Sequence, residues 1–93
     1  MAKITYFHMN DCPYCVQADG VIAELLAEHP EWAAVEFEKI DERVHPEIAD
    51  RYDYYANPSM FLGQEKLYEA HLFETKAECR AHVEAVFRRA MEA

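Results

Sequence analysis

Cys12-Pro13-Tyr14-Cys15 stands between an apolar, β-prone run at 3–9 and a helical pattern over 13–28. A helix N-terminus leaves backbone N–H groups unpaired and carries partial positive charge, so it favours the thiolate form of a sulfur placed there. Pro13 suits a first helical position. We therefore predict that Cys12 caps the helix as the nucleophile and that Cys15, one turn further on, is the resolving thiol.

A cysteine pair of this spacing also occurs in zinc sites, which normally take four ligands and often use two such pairs. The chain has three cysteines and no second pair, and His8 would bring the ligand count only to three. We therefore favour a redox dithiol and predict no metal site. The alternative is a redox-sensing or metal-binding module that uses the same pair without turnover.

Length and composition restrict the class of protein. The chain has 93 residues, of which 52% are hydrophobic and only 2 are Gly. We therefore expect a single domain spanning 1–93. No apolar run approaches the roughly 18 residues of a membrane span, and the N-terminus lacks the pattern of a secretory signal. We expect a cytoplasmic protein. The net charge of −9 disfavours nucleic acid and anionic membranes as partners.

Hydrophobic periodicity predicts the element order βαβαββα. Strands are expected at 3–9, 34–41, 59–62 and 67–72, and the first two helices at 13–28 and 46–52. The polar side of the first helix carries Gln17, Asp19, Glu24 and Glu28. A last helix follows Thr75, a predicted N-cap with Glu78 at capping-box spacing. Its apolar stripe comprises Cys79, Val83, Val86, Phe87 and Ala90.

Cys-Pro-Tyr-Cys followed by this element order resembles the glutaredoxins, in which that tetrapeptide is the usual active site. The resemblance covers nearly all of the chain. It implies an α/β, thioredoxin-like fold with a central four-stranded mixed sheet, strand order 3-1-2-4, flanked by three helices. It also implies a thiol–disulfide oxidoreductase that reduces protein or small-molecule disulfides through Cys12 and Cys15.

Asn57-Pro58-Ser59 stands where members of this superfamily place a cis-proline opposite the dithiol. A cis X-Pro bond turns the backbone of Asn57 so that it can pair with an extended substrate chain. The resemblance also implies that Tyr14 lines the substrate groove, although a spacer that only shapes the turn remains an alternative. Tyr14, Asn57 and Pro58 are thus the predicted substrate-binding residues.

Asn57 stands where family members more often have Thr or Val before the proline, and the chain departs from the glutaredoxin pattern in two further places. Met9-Asn10-Asp11 stands where a basic residue is common, and Glu69-Ala70-His71-Leu72-Phe73 where a Gly-Gly followed by Asp holds glutathione. The electron donor is therefore left open between glutathione and a thioredoxin-reductase-type flavin enzyme. No metal or organic cofactor is expected apart from glutathione as a candidate reductant. The expected partners are disulfide-containing proteins or small disulfides.

Three further residues have two interpretations each. Asp11 either opposes a thiolate at the next residue or caps the helix. His8 either ends the first strand, which we favour, or tunes Cys12. Cys79 is expected to be a small buried hydrophobe, with a regulatory thiol as the lesser alternative.

Overall fold

Eight segments of regular structure follow one another in the computed structural model, which describes residues 2–93. In order they are β1 (Lys3–Phe7), α1 (Pro13–Glu28), a 3-10 turn (Pro30–Ala34), β2 (Glu36–Ile40), α2 (Pro46–Ala49), β3 (Ser59–Leu62), β4 (Glu65–Glu69) and α3 (Lys76–Glu92). The predicted order of four strands and three α-helices is confirmed.

The four strands form one mixed sheet in the order β2-β1-β3-β4. β1 runs parallel to β2, with Phe7 opposite Ile40, and antiparallel to β3, which in turn pairs antiparallel with β4. The expected order 3-1-2-4 is wrong, because it would place β2 inside the sheet. Glu36, Glu38 and Lys39 are exposed on β2 and suit an edge strand, whereas the buried β3 is central.

Apolar side chains fill both faces of the sheet. Successive residues of β1 point to opposite faces, so Tyr6 packs under α1 and α3 while Phe7 packs on the α2 side. The smaller cluster on the α2 side is formed by Phe7, Ile40 and Phe61. Helices therefore cover the two faces of the sheet, and the carboxyl end of β1 leads directly to the Cys-x-x-Cys stretch.

Both long helices follow their apolar periodicity. α1 spans the predicted Pro13–Glu28 and buries Cys15, Ala18, Val21 and Leu25. α3 begins after Thr75, whose side chain and that of Glu78 form the predicted capping box. The predicted stripe of α3 is buried at all of its positions: Cys79, Val83, Val86, Phe87 and Ala90.

Several boundaries differ from those predicted. β1 stops at Phe7, whose partner on β3 is the first residue of that strand. β2 starts late because Pro30 opens the 3-10 turn, which buries Trp32. α2 ends at Ala49, three positions before the predicted end at residue 52. β4 starts at Glu65, because the turn at Gly63 (φ 59°) is shorter than expected. Among residues 2–93, no helix combines the length and apolar character needed to cross a membrane.

Candidate functional site

Cys12 lies between β1 and α1 and is the N-cap residue of α1. Its backbone is extended (φ −90°, ψ 118°), and Pro13 follows at the start of the helix. The Cys15 backbone N–H donates a hydrogen bond to Cys12 Sγ at 3.3 Å. Such a bond, at the positive end of a helix, stabilises negative charge on the sulfur.

Cys12 also faces the loop that precedes β3. The thiol donates to the carbonyl oxygen of Asn57, with 3.7 Å between Sγ and that oxygen. The Asn57–Pro58 peptide bond is cis, and the Pro58 side chain is fully buried. The Pro58 carbonyl accepts a hydrogen bond from the Ala70 N–H at 3.0 Å. Two sequence motifs 45 positions apart therefore meet at one sulfur.

Cys15 is fully buried on the apolar stripe of α1. Burial, and then the neighbouring sulfur of Cys12, raises the pKa of Cys15 to about 12. Cys15 is therefore a neutral thiol near pH 7. Before it can act as a nucleophile, its proton must be removed.

Glu69, the last residue of β4, holds the loop before Asn57. One of its carboxylate oxygens accepts hydrogen bonds from the backbone N–H groups of Tyr55 and Ala56, at 2.5 and 2.7 Å. The other oxygen accepts from Lys66 Nζ at 2.8 Å. Burial acts to raise the pKa of Glu69, but the bonds from Lys66 and the two loop amides outweigh it and lower the pKa below its ordinary value.

Glu42, in the loop after β2, holds the same segment from another side. One carboxylate oxygen accepts hydrogen bonds from the Asn57 side-chain amide and from the Tyr54 hydroxyl. The other side-chain atom of that amide, Asn57 Oδ1, is buried without a hydrogen-bond partner. No pattern in the sequence indicates Glu42 and Glu69, because these carboxylates lie 15 and 14 positions away from the groups they bind.

His8 follows β1, and its buried ring contacts α1 rather than the first cysteine of the motif. Nε2 of His8 lies 2.8 Å from Oδ2 of Asp19, whose Oδ1 accepts from the Tyr6 hydroxyl at 3.0 Å. Lys39 Nζ lies 3.2 Å from the same Oδ1. Burial acts to raise the pKa of Asp19, but its hydrogen bonds prevail and lower it. Asp19, predicted on the polar side of α1, is thus half-buried in a charged network.

Asp11 lies next to Cys12 but does not cap α1, since Cys12 itself is the N-cap. The Asp11 carboxylate pairs with the guanidinium of Arg43 at 3.1 Å, and the same guanidinium pairs with Asp41 at 3.1 Å. Arg43 therefore offsets negative charge beside the dithiol.

Tyr14, between the two cysteines, is half-buried against the core. Its hydroxyl accepts a hydrogen bond from the Phe73 backbone N–H at 2.7 Å. Gln17 Nε2 donates to the Glu74 carbonyl oxygen at 3.4 Å. Tyr14 and Gln17 therefore fasten the loop between β4 and α3 onto α1, a contact that the sequence did not indicate.

The third cysteine lies in the core, as expected. Cys79 is fully buried on α3, and the Tyr68 hydroxyl lies 3.6 Å from its Sγ while also bonding to the buried Glu74 carboxylate. Burial raises the pKa of Cys79. All three cysteines of the chain are free thiols.

The metal-binding alternative needs ligands beyond the cysteine pair. Within residues 2–93, no group of three or more His, Cys, Asp and Glu side chains is arranged to hold a metal ion. His8, the third ligand considered from the sequence, directs its ring nitrogen to Asp19.

Comparison with solved structures identifies the class of fold. A structure described as that of a malarial protein matches with a TM-score of 0.58, over 90% of this chain and 94% of that chain, at 14% identity. Together with the mixed four-stranded sheet and its flanking helices, this match shows that the chain has a thioredoxin-like α/β fold.

Comparison with curated proteins finds a glutaredoxin to which the chain is similar. The chain is 29% identical over 85 residues to Glutaredoxin-3 of Mus musculus. The match covers 86% of this chain and 24% of the mouse protein, so the chain spans about a quarter of that relative's length. No family model matches the chain. This likeness supports a glutaredoxin-like family for the chain.

Proposed function

We propose that this protein is a thiol–disulfide oxidoreductase that reduces protein or small-molecule disulfides through Cys12 and Cys15. The likeness to a glutaredoxin supports thiol oxidoreductase chemistry in general. The observation that carries the specific proposal is the position of Cys12 Sγ, at the N-cap of α1, 3.3 Å from the Cys15 amide and 3.7 Å from the Asn57 carbonyl oxygen.

The reduction proceeds by two thiol–disulfide exchanges. The Cys12 thiolate attacks one sulfur of the substrate disulfide, forms a mixed disulfide and releases the other substrate sulfur as a thiolate, which takes up a proton. Cys15 then loses its proton and attacks Cys12 Sγ, which breaks the mixed disulfide and releases the second substrate thiol. Two electrons pass to the substrate, and the protein is left with a Cys12–Cys15 disulfide.

In this proposal Asn57, Pro58 and Tyr14 bind the substrate around the reacting sulfurs. The Asn57 carbonyl, already within reach of Cys12, accepts a hydrogen bond from an extended substrate backbone. Pro58, buried directly after Asn57 and bonded through its carbonyl to the Ala70 N–H, supports that segment, and Tyr14 lines the groove beside the cysteines.

Electrons for the next cycle come from an external thiol or dithiol. Glutathione and a thioredoxin-reductase-type flavin enzyme are the two donor classes, and the protein itself needs no metal or organic cofactor. We place this activity in the cytoplasm, where reduced thiols are maintained. Nucleic acid and membrane are not among the proposed partners.

The test is a coupled assay that follows NADPH consumption with bis(2-hydroxyethyl) disulfide as substrate, run in parallel with a glutathione system and with a thioredoxin-reductase system. Wild type is expected to reduce the disulfide with one of the two donor systems. Cys12→Ser should lose at least about 1,000-fold in activity, because the nucleophile is removed. Cys79→Ser is the matched control and should retain activity. Full activity of Cys12→Ser would refute the assignment of the nucleophile.

Absence of turnover with both donors would contradict the enzyme proposal. Metal retained by the purified protein would, in that case, favour the redox-sensing or metal-binding alternative. The metal content of the same preparation, measured by elemental analysis, distinguishes a metal-binding module from a redox-sensing one.

A further inference from the structure

The loop between β4 and α3 presents two large apolar side chains to solvent. Leu72 is 71% exposed and its neighbour Phe73 is 82% exposed. We call these two residues the apolar tip. Single exposed apolar residues are common, but adjacent ones next to a reactive site form a patch that indicates an interaction surface.

The backbone of the apolar tip is held in an unfavourable conformation. Phe73 has a φ of 64°, the left-handed region, where a bulky side chain is an outlier. The Tyr14 hydroxyl accepts the Phe73 N–H at 2.7 Å, and the Gln17 side chain binds the next carbonyl, that of Glu74. Such conformations persist where the surroundings fix them, and they concentrate at functional sites.

The contact with Tyr14 places the apolar tip beside the dithiol, because Tyr14 lies between the two reactive cysteines in the chain. The carbonyl of Asn57 approaches Cys12 Sγ from the loop before β3. A polypeptide that pairs with Asn57 and presents its disulfide to Cys12 thus has an apolar surface within reach of its neighbouring side chains.

Charge indicates which polypeptides fit. The chain carries a net charge of −9. Beside the dithiol, the one guanidinium of Arg43 is shared by Asp11 and Asp41. Beside the apolar tip, His71 lies 3.3 Å from the carboxylate of Glu78. An acidic surface of this kind attracts basic partners and repels anionic ones, including glutathione disulfide.

We propose that Leu72 and Phe73 dock an extended, basic polypeptide that carries the disulfide and has an aromatic or aliphatic residue next to its cysteine. The proposal rests on the proposed reductase activity and names its substrate class. Phe73 packs on the apolar residue of the substrate, while flanking Lys or Arg side chains of the substrate meet the acidic surface.

The test uses three disulfide-linked synthetic peptides of equal length and bis(2-hydroxyethyl) disulfide as the small substrate. The first peptide has Phe next to Cys and Lys residues on both sides. The second keeps Phe but has Glu in place of Lys, and the third keeps Lys but has Ser in place of Phe. For wild type we expect kcat/KM about tenfold higher on the Lys–Phe peptide than on either of the others. The preference over the Glu peptide should shrink as salt is added.

The key variant is Phe73→Gly, since glycine accepts the positive φ and preserves the loop while removing the ring. We expect KM for the Lys–Phe peptide to rise about tenfold with kcat unchanged, and no change on the small disulfide. Met91→Ala, which alters a 40% exposed apolar residue in the last turn of α3, is the matched control and should leave all constants unchanged.

An unchanged KM of Phe73→Gly for the Lys–Phe peptide would overturn the docking proposal, as would equal wild-type rates on all three peptides. Neither result would contradict the proposed reductase activity, because that activity is measured separately with bis(2-hydroxyethyl) disulfide. Loss of small-disulfide reduction by wild type would instead refute the activity itself.

Discussion

Cys15 and Cys79 are alike in several respects, yet their surroundings differ. Both are fully buried, and they lie on α1 and α3, which pack on the same face of the sheet. Burial raises the pKa of each thiol. Next to Cys15, however, stands the partly exposed sulfur of Cys12, whereas the Cys79 sulfur has a Tyr68 hydroxyl beside it in the core.

Burial by itself therefore does not distinguish a redox thiol from a structural one. In the proposed function, Cys15 acts as a redox thiol because its neighbour in the helix cap is accessible and lies against the loop of Asn57. Cys79 lacks such a neighbour among the residues that contact its sulfur. The difference follows from position on a helix: the N-cap residue Cys12 is partly exposed, whereas Cys79 lies on the apolar stripe one turn after the N-cap of α3 and is buried.

Alkylation of the reduced, folded protein measures this difference directly. Cys12 should react with iodoacetamide at least about 1,000-fold faster than Cys79, because Cys79 becomes accessible only when the core opens. Peptide mass spectrometry over a time course, with a urea-unfolded sample as the reference for full reactivity, gives the rates. Comparable alkylation rates at Cys12 and Cys79 would contradict the difference in accessibility between the two thiols.

Replacing each buried thiol by Ser should separate their roles. Cys15→Ser is expected to lose about 100-fold in reduction of a protein disulfide, since the mixed disulfide on Cys12 is no longer resolved within the protein. Non-reducing mass spectrometry should then detect a trapped adduct. The same substitution at Cys79 should give neither effect, and an adduct that forms on it would contradict the assignment of Cys15.

Loosening the loop that faces Cys12 should reduce activity without affecting Cys79. Glu69→Ala removes the acceptor for the amides of Tyr55 and Ala56, and we expect kcat/KM to fall about tenfold. Glu69→Gln, which keeps one acceptor oxygen, should fall less. The control is Glu65→Ala, which removes an exposed carboxylate from the same strand.

The lowered pKa of Glu69 also predicts a pH dependence. A carboxyl group whose pKa is lower in the folded state stabilises the fold above its unfolded pKa, and this contribution is lost as pH falls through the folded value. Stability should therefore decline below about pH 4.3, the ordinary Glu value, and Glu69→Gln should reduce that decline. Urea unfolding of wild type and Glu69→Gln at pH 3 to 7 gives the measurement. Identical acid profiles of the two proteins would contradict the stabilising role of the Glu69 carboxylate.

Cys79→Ala should have the smallest effect. It removes one buried sulfur from the core, which we expect to cost about 1 kcal/mol of unfolding free energy, with kcat/KM unchanged. Urea unfolding and the reductase assay on the same preparation test both parts. A marked loss of activity at unchanged stability would revive the regulatory interpretation of this thiol.

Signals between neighbouring residues were enough to predict much of the secondary structure and the helix cap at Cys12. The N-cap position of Cys12, the helix start at Pro13 and the capping box of Thr75 and Glu78 depend on residues within about four positions of one another. Their geometry follows from helix periodicity, so they could be predicted, as could the buried stripe of α3 and the element order.

Contacts between distant segments could not be read in this way. The Asp19 network, the hydrogen bond of Glu69 to Tyr55 and the approach of Asn57 to Cys12 join residues 11 to 45 positions apart. The strand order depends on pairs that lie still further apart, such as Ile4 and Leu62. The exposed, left-handed Phe73 likewise depends on Tyr14, 59 positions earlier. Helix periodicity carries no information at such separations; the pairing register of the sheet and the packing of α1 bring these groups together.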